Sequence, residues 1–239
     1  MTNVDPVELL DLAVTAARAA GEIHQRHLGE PLQADTKSSP TDPATIVDTE
    51  SEALLLDILL GARPDDAVLG EEGGSRDGTS GVRWILDPLD GTVNYLCGLR
   101  ASSVSVAAEV DGVVVAGAVL DPAHDECFTA TLGGGAHVDG RPLAPLRPAE
   151  LAACLVGTGF SYSAEIRAEQ ADVLTRVLPA VRDIRRIGSA ALDLCWVAAG
   201  RLDAGRGHRP TLGRAAVRFE MPGSSRSPGS RRRPSPAPS

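Results

Sequence analysis

The run Asp87-Pro88-Leu89-Asp90-Gly91-Thr92 brings two carboxylates, a hydroxyl and two backbone-restricting residues close together. It follows the apolar stretch Val82-Arg-Trp-Ile-Leu86, which reads as a short strand. The carboxylates are therefore expected at the strand's C-terminal end, where Pro88 restricts the backbone and Gly91 permits a tight reversal. Two such groups three residues apart can converge on one point, and that point suits a hard cation. Magnesium takes oxygen ligands at about 2.0–2.1 Å and is usually held by one or two carboxylates with waters and substrate phosphate. Glu71 and Glu72 close a second β-type run, Ala67-Val-Leu-Gly70, and are natural further ligands. One acidic side chain alone is more often a solvated loop acid. Two acidic strand ends together favour a metal site.

The elements that must position these groups are legible in the periodicity. Asp5 to Leu28 reads as a helix, with Asp5 as N-cap, Pro6 at the first helical position and Glu8 completing a capping box. Leu9, Leu12, Ala13, Ala16, Ala20 and Ile23 share one face of it. His24 and His27 on the same helix read as partly exposed surface residues, and no histidine is given a role. A second helix is expected from about Thr45 to Leu60, closed by Gly61 and Pro64, with Asp48, Glu50 and Glu52 on its exposed face. Ser103–Val110 and Val113–Leu120 flank Asp111-Gly112, a strong hairpin signal, and Glu126–Thr131 reads as a third strand. An antiparallel sheet with helices on one face follows. Beyond it, Cys154–Thr158 (strand), Ala164–Leu178 (helix), Arg182–Ile187 (strand) and Ser189–Ala199 (helix) alternate as in an α/β unit.

Composition sets the outer bounds. A chain of 239 residues with 43% hydrophobic and 23% charged residues describes an ordinary globular protein. No apolar run approaches the roughly 20 residues needed to span a bilayer, and no secretory signal is visible. A cytoplasmic protein with no membrane partner is expected. Cys97, Cys127, Cys154 and Cys195 show no C-x-x-C spacing, which argues against a zinc cluster or a disulfide framework. Residues 1–204 hold 15 basic against 31 acidic side chains, while residues 205–239 hold eight Arg against one Glu. An acidic body repels a phosphorylated substrate unless bound cations reverse the local field.

Four segments, in this order and at these separations, resemble the inositol monophosphatase family: Lys37-Ser-Ser-Pro-Thr-Asp-Pro-Ala-Thr-Ile-Val-Asp48, Gly70-Glu-Glu72, Trp84-Ile-Leu-Asp-Pro-Leu-Asp-Gly-Thr-Val-Asn-Tyr95 and Ile187-Gly-Ser-Ala-Ala-Leu-Asp193. The resemblance covers roughly residues 5–204. It implies a layered α+β and α/β sandwich, in which an antiparallel sheet with a helix pair is followed by a truncated α/β half. The expected divisions are 1–150 as the metal-binding α+β part, 151–204 as a partial α/β part and 205–239 as an aberrant, disordered tail.

The same resemblance implies lithium-sensitive, Mg2+-dependent hydrolysis of a small phosphomonoester by metal-activated water, with myo-inositol 1-phosphate as the leading substrate. Histidinol phosphate, fructose 1,6-bisphosphate and 3′-phosphoadenosine nucleotides are the alternatives within the class. Glu71, Asp87, Asp90 and the carbonyl of Leu89 would bind magnesium. Thr92, hydrogen-bonded to Asp48, would act with Glu71 to orient and deprotonate the water. The amides of Gly91 and Thr92 would receive phosphate oxygens, and Gly188, Ser189 and Ala190 would contact the rest of the substrate. A plain helix start capped by Ser189 explains that last set equally well. Lys37, the only lysine in the chain, matches a lysine on a mobile loop in the family. A homodimer is compatible with the resemblance.

After Ala204 the resemblance stops. The family continues into a Pro-Trp-Asp-x-Ala-Ala-Gly motif whose Asp is a metal ligand, whereas this chain reads Gly205-Arg-Gly-His-Arg-Pro-Thr-Leu-Gly-Arg214. With 22 Arg and one Lys, a reading-frame shift in GC-rich coding DNA is the expected cause. A catalytically impaired remnant is then the alternative to an active enzyme. Poor solubility or a partly ordered second domain is expected. No aromatic residue past Phe219 offers base stacking, so no nucleic-acid partner is expected.

Overall fold

A computed structural model describes residues 4–32, 34–36, 43–144 and 149–206. Helix α1 (Pro6–His27) begins where Asp5 accepts from the Val7 amide, a single capping bond in place of the expected box. Strands β1 (Ala34–Thr36) and β2 (Pro43–Thr45) form a small antiparallel pair. Helix α2 (Ile46–Ala62) follows, and here a capping box does form: the Thr45 hydroxyl accepts from Val47 N, and Asp48 accepts from Thr45 N at 2.7 Å.

Strands β3 (Ala67–Leu69) and β4 (Val82–Asp90) run parallel, and the short helix α3 (Thr92–Leu96) leaves the end of β4. Strands β5 (Ser103–Val110), β6 (Val113–Asp121), β7 (Glu126–Thr131), β8 (Gly135–Val138) and β9 (Arg141–Pro142) continue as an antiparallel meander. The sheet of seven strands has the simple order β3 to β9. Asp111 and Gly112 both take positive φ, 49° and 82°, as the tight hairpin turn requires. The last segment forms β10 (Leu155–Thr158), α4 (Ala164–Val177), β11 (Asp183–Arg185), α5 (Ala190–Ala198) and β12 (Ala204–Arg206). Its three strands are parallel, with β10 in the middle.

Several expectations change. Strand β4 does not stop at Leu86 but runs on through Asp90. Asp87 pairs with Ser105 and Asp90 with Ser103, so one extra residue bulges on the β4 side. A bulge accepts a proline because the missing N–H is not needed there.

The sheet is also covered on both faces. Leu9, Ala13, Ala16, Ala17 and Ala20 of α1, with Leu55 and Leu59 of α2, pack on Trp84, Leu86, Val104, Val106 and Leu120. Ala191, Leu192 and Cys195 of α5 pack on Ile85, Ala107, Val119 and Phe128, the alternate residues of the same strands.

Asp48 and Glu52 are 1% and 4% exposed, so they do not lie on the solvent face of α2 as expected. Each carboxylate accepts backbone N–H groups, which compensates its burial. His24 is likewise buried rather than partly exposed. His27 stays at the surface between Glu30 and Glu50, which raise its pKa by hydrogen bonding.

Helix α4 has no buried residue. No helix among the described residues is long and apolar enough to cross a membrane. Lys37 and residues 207–239 of the tail lie outside the described residues.

Candidate active site

The parallel register sets Leu69 beside Ile85, and two residues further along each strand stand Glu71 and Asp87. Asp87 is 5% exposed at the end of β4, while Glu71 is exposed in the loop that leaves β3. Gly91 turns the chain with φ 98°, and the side chain of Thr92 comes back over the bulge. Its Oγ lies 3.1 Å from Asp48 Oδ1 and 2.9 Å from the Leu89 carbonyl. The other Asp48 oxygen is held by Thr45 N and Thr45 Oγ1, both at 2.7 Å. The capping box at the start of α2 thus fixes the carboxylate that meets Thr92.

Asp90 reaches the second half of the chain. Its Oδ2 accepts from Ser189 Oγ and from Ala191 N, each at 2.6 Å. Ser189 is fully buried, accepts from Leu192 N at 3.2 Å and lies 3.1 Å from Ser103 Oγ. Its hydroxyl is therefore committed to the α5 cap and to Asp90, while Gly188 and Ala190 on either side are half-buried.

Asn94 ties the same two segments together by donating to Ala101 O and Ile187 O, both at 2.8 Å. Gly188 has φ 107°, and a Cβ there would lie 2.3 Å from Asn94 Nδ2. Gly188→Ala should therefore lower stability by about 2–4 kcal/mol through backbone strain and displacement of Asn94. Urea denaturation of the variant checks this value.

Two contacts missed in the sequence clamp the acidic loop onto α1. His24 Nε2 donates to the Pro88 carbonyl at 2.9 Å, and Tyr95 OH donates to the His24 carbonyl at 2.6 Å. The periodicity already held the signal for His24, which stands four residues after the buried Ala20. Burial pushes the His24 pKa down to about 4, against the smaller upward effect of the Pro88 bond. Burial also raises Tyr95 to about 12, helped by Glu30 and Asp48.

Because the unfolded histidine binds its proton more tightly, the folded state loses stability as pH falls from 6.5 towards 4. That loss should reach about 3 kcal/mol and be missing in His24→Gln. Denaturation of both proteins at pH 7 and pH 4.5 measures it.

The donor set agrees with magnesium in chemistry. Asp87, Leu89 and Asp90 offer two carboxylates and a carbonyl at one strand end, with no sulfur and no imidazole donor. No group of three or more His, Cys, Asp or Glu side chains converges on a metal position among the described residues. Magnesium needs only one or two carboxylates when water and phosphate complete its shell, so the residues fit.

Comparison with known proteins identifies the family. The model of the inositol monophosphatase family matches residues 5–209. An inositol-1-monophosphatase (SuhB) of Mycobacterium tuberculosis is 54% identical over 177 residues, which make up 70% of this chain and 61% of that protein. The chain thus spans less than two thirds of that relative. The Nus factor SuhB of Escherichia coli is 37% identical over 199 residues, 82% of this chain and 74% of the relative. The crystal structure of the extragenic suppressor protein SuhB from Bartonella henselae superimposes with a TM-score of 0.83 at 36% identity. It covers 88% of this chain and 82% of its own. With the motif order, the layered fold and these matches in agreement, the chain belongs to the inositol monophosphatase family.

Proposed function

We propose that this chain hydrolyses a small phosphomonoester with magnesium as cofactor, and that inositol 1-phosphate is the first substrate to test. The observation that carries this reading is the contact of Thr92 Oγ with a buried Asp48, set beside two carboxylates at the end of β4. Glu71, Asp87, Asp90 and the Leu89 carbonyl would hold magnesium, with Asp87 shared between two ions, and the bound metal would lower the pKa of water and neutralise charge on the phosphate. Thr92 Oγ, whose one hydrogen is within hydrogen-bond reach of both Asp48 and the Leu89 carbonyl, would offer a lone pair to the water to be activated. Glu71, exposed in the loop that leaves β3, would serve as the partner base.

Gly91 in its left-handed turn presents its amide and that of Thr92 to phosphate oxygens. Gly188 and Ala190 would contact the rest of the substrate, next to the Ser189 hydroxyl that bonds Asp90. Residues 1–150 supply the metal-binding groups and 151–204 the far side. The 54% identical relative named an inositol-1-monophosphatase supports the inositol phosphate reading, as does the all-oxygen donor set. Lithium sensitivity would follow from the family.

A second reading, a remnant that binds one magnesium through Glu71, Asp87 and Leu89 without turnover, is favoured by the absence of a converging acidic triad among the described residues. Phosphate release from inositol 1-phosphate, histidinol phosphate, fructose 1,6-bisphosphate and a 3′-phosphoadenosine nucleotide, with and without magnesium, decides between the two. Release from one of them identifies the substrate. Folded protein that releases none supports the remnant.

A further inference from the structure

Glu52 is the second buried carboxylate of α2, four residues and therefore about 6 Å along the axis from Asp48. Its two oxygens are used separately: Oε2 accepts from Glu72 N and Oε1 from Gly74 N, each at 2.8 Å. The chain on the other side of Glu71 is equally constrained, because a Cβ at Gly70 would lie 2.6 Å from Glu52 Oε2. Glu71 thus sits between a glycine pressed against this carboxylate and an amide bonded to it. Asp48 meanwhile holds Thr92 on the neighbouring strand end. One helix face therefore fixes both acidic loops, with one turn of helix setting their spacing.

We propose that Glu52 is a positioning residue for Glu71, keeping it in place beside Asp87 for the cation. This rests on the metal-dependent reading above. A buried carboxylate that accepts two backbone N–H groups is a stiff support, and outer groups that orient metal ligands commonly change affinity by about 10–100-fold when removed. The role belongs to Glu52 rather than to Glu50, which lies nearer the solvent and contacts His27.

The test uses the full chain and Mn2+ as the probe, with binding followed by water-proton relaxation and amide exchange followed in the metal-free protein. Glu52→Gln keeps the size but offers an NH2 to one of the two donors. It should weaken Mn2+ binding by about 10–100-fold and accelerate exchange at Glu72 and Gly74 by at least about tenfold, with β4 amides unchanged. The Mn2+ concentration for half-maximal phosphate release should rise while the maximal rate stays within about threefold, a split expected of a support and not of the base itself. Gly70→Ala, which pushes the carboxylate from outside without removing its charge, should act in the same direction and decides the matter if Glu52→Gln does not fold. Glu50→Gln should leave Mn2+ binding unchanged.

Mn2+ affinity retained in Glu52→Gln or in a folded Gly70→Ala, or unchanged exchange at Glu72 and Gly74, overturns the inference alone. A wild-type chain that binds no Mn2+ overturns the metal reading and this inference together.

Discussion

Asp90→Asn is expected to fold with wild-type stability and to lose at least about 10³-fold in metal-dependent phosphate release, the equivalent of about 4 kcal/mol of transition-state stabilisation. The reasoning rests on the two sides of one carboxylate. Oδ2 accepts from Ser189 Oγ and Ala191 N, and an asparagine can present its own oxygen to the same donors. Its NH2 must then face the cation side, where a donor replaces an acceptor. Asp90→Ala differs in kind: it leaves the Ala191 amide and the Ser189 hydroxyl without their acceptor and should cost about 1–3 kcal/mol of stability as well. Parallel melting curves and phosphate-release assays on the two variants separate the effects. An asparagine variant with near-normal rate would remove Asp90 from the metal set.

The largest stability effect is expected at Asp66, far from the chemistry. This residue is 1% exposed and accepts from Arg63 Nε at 2.6 Å, Ser80 Oγ at 2.6 Å and Trp84 Nε1 at 2.9 Å. Asp66→Ala leaves a buried indole N–H, a hydroxyl and a guanidinium unanswered and should cost about 3–5 kcal/mol. A typical domain has only about 5–15 kcal/mol in total, so much of the stability goes. Trp84 is fully buried beside the substitution, and its fluorescence during urea unfolding is the natural reporter. A drop below about 1 kcal/mol would show that the network relaxes without its acceptor.

What the sequence disclosed and what it withheld follow a physical line. Where one residue type has one backbone use, the reading was sound: Asp111-Gly112 made its turn, and Glu126–Thr131 formed the strand expected of it. The same Asp-Gly signal stands at Asp139-Gly140, with φ 49° and 72°, and joins β8 to β9. Those two strands escaped notice because they are short and only partly apolar.

Pro88 misled by suggesting a strand end, when a bulge carries the strand past it. Asp48 and Glu52 misled because carboxylates are usually solvated, and nothing in a one-dimensional pattern tells that loop amides from β3 and the cap of α2 will meet them. For His24 the helical spacing did mark a buried position, but its partner, the Pro88 carbonyl, is 64 residues away. The Trp84–Tyr95 motif grouped Asp87, Leu89, Asp90 and Thr92, but the joining of Asp90 to Ser189 was visible only in three dimensions.

That junction has a consequence for how the molecule acquires its site. Asp90 and Ser189 are separated by 99 residues, so their bond closes one of the longest loops among the described residues. Contacts of such sequence separation form late, after the meander has paired strand by strand with its neighbours. During synthesis the sheet around Trp84 can assemble while Ser189 is still inside the ribosome, and the two bonds that join Asp90 to the start of α5 form only once that helix emerges. The strands that carry the acidic loop therefore pair before the segment that anchors Asp90 arrives, and the order of those two events is written in the distance between one aspartate and one serine.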